Sequence, residues 1–450
     1  MWTSLPVPGL SASGVPVPLP ISTVTRSKVI ERSRQAIREG QWERLRALLD
    51  TVQMTNAFHR KRLMNMAAAT SLDEYVRRCP LMTKRLLVQD RENFPPYGSN
   101  HTYPLENYTR FCQTSGTTGP PLTWLDSRDD WGGMLNLWQQ IFDAFGIQPG
   151  DDRMFFPFSF GPFLGFWTAF EAASRIGCLV IPGGGMSTNA RLQLMLEHGV
   201  TVICTTPTYA LHLGEQKAQQ GNFREATWAL RKIIVAGEPG GSQPEIRARL
   251  ETLWPGVSVL DHHGLTETGP VSYQDPENPH CLRVLEEAYF AEVLDPATGR
   301  EVFEGESGEL VLSTLHRLGG PMLRYRTGDL VRKHYAEDGG LCLEGGILGR
   351  LDDMVCVRGV NIYPSAVDAV LRRFPEVMEY QVRELRHGAL LDLKLVVEVP
   401  LSLRDTTPFA ERLSLALRDA FQLRMDVEVV PQGTLPRFEF KARRWIKELR

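Results

Sequence analysis

Apolar and polar positions along this chain keep a helical rhythm first, then alternate between strand and helix, and then turn to short β runs. From Arg26 to Leu63 the apolar positions Val29, Ile30, Ile37, Leu45, Leu48 and Leu49 recur at helical spacing among charges, which predicts surface helices on a larger body. After a Gly-rich loop come an apolar helix near Trp131 to Phe145, an aromatic segment Met154 to Phe160 and a helix around Phe166 to Ile176. Strand Cys178 to Ile181, a helix to His198 and strand Thr201 to Cys204 follow. Strand Lys232 to Ala236, helix Pro244 to Trp254 and strand Ser258 to Leu260 repeat the pattern. Strands separated by helices imply parallel α/β layers.

Between Leu282 and His334 the runs become β-type (Ala291 to Leu294, Glu309 to Ser313) with Gly and Asp-Pro turns, as in a smaller antiparallel section. Past Gly349, strands Val355 to Val357, Leu391 to Val399 and Val427 to Val430 surround helices Ser365 to Arg373 and Pro408 to Phe421. The expected fold is α/β: a large multi-layer N-terminal domain over 26–349, with parallel sheets and a β section, and a small α+β C-terminal domain over 350–450. The boundary is placed near Arg350 to Asp353. Residues 1–25, with Pro6, Pro8, Pro16, Pro18 and Pro20 and no basic start, read as an extended or disordered arm unlike a signal peptide.

With 42% hydrophobic and 23% charged residues, 450 residues can bury a large core in two or more domains. A net charge of −3 offers no bulk attraction to nucleic acid or anionic membrane. No segment has the ~18 uninterrupted apolar residues that would span a bilayer. The seven cysteines never form C-x-x-C, which implies reduced thiols and a cytoplasmic location.

Candidate chemistry begins at Gln113 to Pro121, where small hydroxyl residues sit between glycines, a composition that lets successive backbone N–H groups approach one anion. Two prolines follow Gly119 where a Walker loop would carry Gly-Lys-Ser/Thr, so a P-loop NTPase is disfavoured. Six further segments appear in order. They are Ala236-Gly237-Glu238-Pro239, His262 to Gly269, Tyr325 to Leu330, Gly349 to Asp353, Arg358-Gly359-Val360-Asn361-Ile362-Tyr363-Pro364, and Leu435-Pro436-Arg437-Phe438-Glu439-Phe440-Lys441. From about Ser71 onward the chain resembles the adenylate-forming ligase superfamily, in particular the phenylacetate–CoA ligases.

That resemblance implies an ATP-dependent acid–thiol ligase: a carboxylate and ATP give acyl-AMP and pyrophosphate, and a thiol then gives the thioester and AMP. Thr114, Ser115, Gly116, Thr117, Thr118 and Gly119 would hold the phosphates. Gly237, Glu238, Pro239, His263, Gly264, Thr266 and Arg350 would contact the nucleotide, and Asp329 would accept from the ribose hydroxyls. Glu267 would anchor Mg²⁺, and Lys441 would place positive charge on the reacting oxygens. The family pattern makes the C-terminal domain a mobile lid hinged at Asp352, with Arg358 and Gly359 lining the thiol channel. Coenzyme A is the expected thiol. A carrier protein or amine acceptor, a homodimer, and a nucleotide-binding protein that has lost turnover all stay open.

Three departures matter. Pro120 stands where related loops often carry Lys, and His263 where Tyr usually faces adenine. Ser272 to Asp275 lacks the cysteine, and Arg283 replaces the histidine, of relatives that bind zinc, so no zinc is expected, with His280-Cys281 as a residual alternative. Adjacent His262 and His263 should face opposite ways on a strand, in core or stacking roles. Finally, Phe155, Phe156, Phe158, Phe160, Phe163, Phe166 and Trp167 crowd the expected acid pocket, where Phe158, Phe160 and Gly264 would receive an aryl or arylacetic acid. A plain aromatic core would show the same residues.

Overall fold

The computed structural model describes residues 23–64, 66, 69–114, 121–357, 360–387, 390–438 and 443–448. Four helices lead: α1 (Thr23–Thr55), α2 (Ala57–Arg62), α3 (Leu72–Arg78) and α4 (Lys84–Asn93). The helix therefore starts at Thr23, inside the span expected to be an arm, while residues 1–22 lie outside the described residues. The apolar face of α1 buries Leu45, Leu48, Leu49 and Val52 against Tyr75, Phe290 and Leu323. A hairpin of β1 (Tyr108–Gln113) and β2 (Thr123–Ser127) follows. Its loop is stapled at the base: Thr114 N–H donates to Leu122 O at 2.9 Å, and Leu122 N–H to Thr114 Oγ1 at 2.9 Å.

Strands and helices then alternate as α5 (Arg128–Ala144), β3 (Arg153–Phe156), α6 (Trp167–Ile176), β4 (Leu179–Pro182), α7 (Thr188–Glu197) and β5 (Val202–Thr205). Next come α8 (Pro207–Gln219), α9 (Gly221–Arg224), β6 (Lys232–Val235), α10 (Pro244–Leu253) and β7 (Ser258–Leu265). Local chemistry sets these boundaries. Ser127 and Asp130 form a capping box on α5, Thr206 caps α8 ahead of Pro207, and α6 stops at left-handed Gly177. Then follow β8 (Gly269–Gln274), β9 (Cys281–Val284), β10 (Tyr289–Leu294), β11 (Ser307–Thr314), β12 (Tyr325–Tyr335) and β13 (Leu341–Arg350).

These strands make one eleven-stranded sheet in the order β10-β11-β12-β13-β9-β8-β7-β6-β5-β3-β4. The half from β4 to β7 is parallel, and from β7 onward every pair is antiparallel. Helices cover both faces of the parallel half. Phe156 packs in the core with α5 and α6, whereas its neighbour Phe155 faces the opposite core with Leu192, Tyr209 and Leu250. Phe155 thus leaves the aromatic crowd expected around the acid.

After β13, residues Leu351 to Met354 lead into β14 (Val355–Val357) and β15 (Val360–Ile362), then α11 (Pro364–Arg372), β16 (Glu379–His387), β17 (Leu390–Val399), α12 (Thr407–Phe421), β18 (Asp426–Pro431) and β19 (Trp445–Glu448). The sheet β18-β17-β16-β19 shares a separate core with α11 and α12, built on Val367, Leu371, Val382, Leu395, Phe409 and Leu413. It touches the body mainly through polar groups: Arg373 bonds Glu245 at 2.9 Å, Arg444 reaches Thr208 Oγ1 at 3.3 Å, and Ser365 donates to Leu348 O. Among the described residues no helix is long and apolar enough to cross a membrane.

Candidate active site

The site forms where the parallel half of the sheet gives way to the antiparallel half. β7 carries His262 and His263 to a bulge between His263 and Gly264, and the turn Thr266 to Thr268 returns the chain into β8. Gly264 is required there, because a Cβ would lie 2.8 Å from Gly269 O and 3.3 Å from His262 Nε2. A buried ion pair holds the turn from behind. Arg317 Nε donates to Asp126 Oδ1 at 2.6 Å, and Arg317 Nη1 to Thr266 O at 2.9 Å.

The two histidines diverge as expected for strand neighbours. His262 packs against Trp138 of α5, with ring centroids 4.3 Å apart, and donates from Nδ1 to Ser272 O at 2.8 Å. His263 donates from Nε2 to Asp329 Oδ2 at 3.2 Å, while Ser272 Oγ lies 3.4 Å from its Nδ1. Asp329 sits in β12 just after Gly328, whose φ of +79° favours glycine. Its Oδ1 accepts from Arg350 Nη1 at 2.8 Å. Burial would raise the Asp329 pKa, but the His263 hydrogen bond and the Arg350 charge more than reverse this, so the carboxylate is held below its ordinary range. Both carboxylate oxygens thus have a donor fixed within the protein.

Arg350 also bonds Asp352, Nε to Oδ1 at 2.9 Å. The expected nucleotide contact and the expected hinge residue are thus joined directly. Glu267 is buried, accepts from Tyr325 Oη at 3.3 Å, and lies 3.8 Å from Lys84 Nζ. Lys84, at the start of α4, was not singled out by the sequence; only a contact across 183 positions reveals it. The helix is docked by pairing of Met82 with Tyr325, and Arg91 near its far end donates to Pro121 O, so it runs from Glu267 to the end of the Gly-rich loop.

Other expected residues are committed locally. The Thr114 hydroxyl closes the loop base, and Glu238 Oε1 accepts from Thr208 N–H at 2.8 Å at the start of α8. Gly237 has φ +93° and lies exposed beside Glu238 and Pro239. Phe158 is buried against Phe160 and Phe166, at 5.2 and 6.2 Å between ring centroids. Arg283 pairs with Asp275 at 3.3 Å. Ser115 to Gly119, Arg358, Gly359 and Lys441 lie outside the described residues.

This arrangement offers a carboxylate held ionised by His263 and Arg350, a buried carboxylate flanked by an ammonium, and an aromatic cluster beyond His262. A family profile for AMP-binding enzymes matches residues 43–320, and one for the AMP-binding enzyme C-terminal domain matches residues 359–448. Phenylacetate-coenzyme A ligase of Pseudomonas putida is 30% identical over 91% of this chain and 94% of its own length. The ligase of that name from Thermus thermophilus is 31% identical over 93% and 97%. The structure superposes on 2-hydroxyisobutyryl-CoA ligase in the postadenylation state with a TM-score of 0.81 and 26% identity, covering 95% of this chain and 90% of that one. Against that ligase in the thioesterification state, at equal coverage, the TM-score is 0.63. The chain belongs to the AMP-binding enzyme family, as an adenylate-forming ligase similar to the phenylacetate–CoA ligases.

Proposed function

We propose that this protein activates an aryl or arylacetic acid as its acyl-AMP and transfers the acyl group to the thiol of coenzyme A. In the first step an acid oxygen attacks the α-phosphorus of ATP and pyrophosphate leaves. In the second the CoA sulfur attacks the acyl carbon, AMP leaves and the thiol proton is released. The observation that carries this reading is the convergence of His263, Asp329 and Arg350 beside the turn that bears Glu267. Asp329, fixed by two donors, would hold the ribose diol without reorganising. Lys84 is 45% exposed, so its ammonium can leave Glu267 and meet the phosphates, supplying a cation where the loop has Pro120. The hard oxygens of Glu267 suit Mg²⁺, which when bound would neutralise phosphate charge. Lys441 would add charge on the reacting oxygens.

Residues 350–450 would act as a lid that turns about Asp352 between the two steps, bringing Arg358 and Gly359 to the thiol. The higher score against the postadenylation state supports this reading, since two states of one ligase differ in their fit to this chain. ATP–pyrophosphate exchange across a panel of acids, with and without coenzyme A, tests the proposal. Aryl acids should drive exchange about thirtyfold better than acetate, a difference of ~2 kcal/mol, and should yield thioester and AMP only when CoA is added. ADP as product, or no acid-dependent exchange, would sink it.

A further inference from the structure

Glu267 depends on its surroundings for its place. Its carboxylate makes long contacts, 3.3 Å to Tyr325 Oη and 3.8 Å to Lys84 Nζ, against the ~2.7 Å of a good O–H···O bond. The turn that carries it, Thr266 to Thr268, is spanned by Thr268 N–H to Leu265 O at 3.3 Å. The carbonyls of the residues on either side of Glu267 are held more tightly. Arg317 Nη1 donates to Thr266 O at 2.9 Å, and Tyr289 Oη to Thr268 O at 2.7 Å. Both donors are buried: Tyr289 opens β10, and Arg317 lies in the loop between β11 and β12. Arg317 is itself anchored, Nε to Asp126 Oδ1 at 2.6 Å, and Asp126 belongs to β2, on the hairpin that bears the Gly-rich loop. The clamp thus ties the turn to that hairpin.

Stability alone does not account for the Arg317–Asp126 pair. A buried ion pair is worth about as much as apolar side chains of the same volume, because desolvation offsets the attraction. Nor is this pair arranged for strength: among the described residues Arg317 Nη2 and Asp126 Oδ2 are buried without partners, whereas a bidentate pair would use both carboxylate oxygens. What apolar side chains could not do is donate to Thr266 O. Tyr289 differs from a phenylalanine in the same way, since its hydroxyl adds the Thr268 bond to a ring already packed edge-on against His316, at 5.3 Å between centroids. Resting on the acid-activating function above, we infer that Arg317, braced on Asp126, and Tyr289 are positioning residues for Glu267. They fix the backbone on both sides of it and so hold in place the carboxylate proposed to anchor Mg²⁺. In this scheme neither touches ATP or the acid.

The test is calorimetric titration of AMP, and of ATP with and without Mg²⁺, into the wild-type protein, Tyr289→Phe and the double variant Arg317→Met, Asp126→Leu. The double variant removes the ion pair without leaving either charge buried alone. The factor by which Mg²⁺ tightens ATP should fall about fivefold or more in each variant, while AMP affinity stays within about twofold of wild type. A merely structural role would weaken AMP and ATP alike, and that result would overturn the inference. An unchanged Mg²⁺ factor in a folded variant would remove the residues it replaces from the scheme, and a wild-type ATP affinity that ignores Mg²⁺ would remove all of them. In each of these cases acid-dependent pyrophosphate exchange by the wild-type protein leaves acid activation standing. Its absence would overturn the function on which the inference rests. If the double variant does not fold, Tyr289→Phe decides.

Discussion

The body and the C-terminal unit solve opposite problems with the same materials. In the body one continuous sheet carries both halves of the site, and Asp329 is fixed by His263 and Arg350 before any ligand arrives. The C-terminal unit keeps its own apolar core and meets the body through a few polar contacts, one of them the Arg373–Glu245 pair, with Arg373 57% exposed. Exposed pairs are worth about 0–1 kcal/mol, so the Arg373–Glu245 pair adds little to the stability of this boundary.

Acid should separate the two regions most. The body buries His59, His262 and His316, each hydrogen-bonded to a backbone carbonyl, and burial lowers their pKa values to about 3, 3 and 4 from the ordinary 6.5. The unfolded chain therefore takes up these protons first. Stability should be full above pH 6.5 and fall as pH drops toward the folded values, by about 1.4 kcal/mol per pH unit for each histidine and about 4 together. Between positions 350 and 450 the sequence has His387 alone. Hydrogen exchange at pH 7.5 and 5.5 should show lost protection in the body first, and equal loss in both regions would break the comparison.

Lys441→Ala should lower pyrophosphate exchange by about 100-fold or more while ATP affinity stays near wild type, because its charge is proposed to act in the transition state. Exchange within about threefold of wild type would remove the lysine from the mechanism. Asp329→Ala should weaken ATP by about 1.5–3 kcal/mol, read by calorimetric titration, since the ribose hydroxyls proposed to donate to this carboxylate would lose their acceptor. Unchanged affinity would take the ribose away from this carboxylate. The smallest effect belongs to the boundary. Glu245→Ala should change folding stability by under about 0.5 kcal/mol, measured by urea denaturation, and leave exchange intact. A large loss of exchange would mean that the two regions act as one rigid unit.

The sequence made the parallel half legible because its buried strands are short apolar runs such as Val202 to Thr205 between helices. It hid α8, although Thr206 and Pro207 mark a helix start, because Gly214 interrupts the apolar pattern; that glycine lets Leu253 and Trp254 approach, at 2.8 Å from where a Cβ would be. It hid β16 because Glu379 and Glu384 point polar groups inward, Glu379 toward Arg444. In the site, the order of the motifs names candidate residues but not their partners. Lys84 beside Glu267, and Asp352 bonded to Arg350, depend on tertiary contacts that no local spacing encodes.

The staple at the base of the Gly-rich loop has one further implication. Thr114 and Leu122 exchange two bonds across the mouth of segment 115–120, so the hairpin itself keeps the segment's ends together. Closure of the hairpin is thereby carried by Thr114 and Leu122 themselves, so the register of β1 on β2 is fixed at the base of the loop.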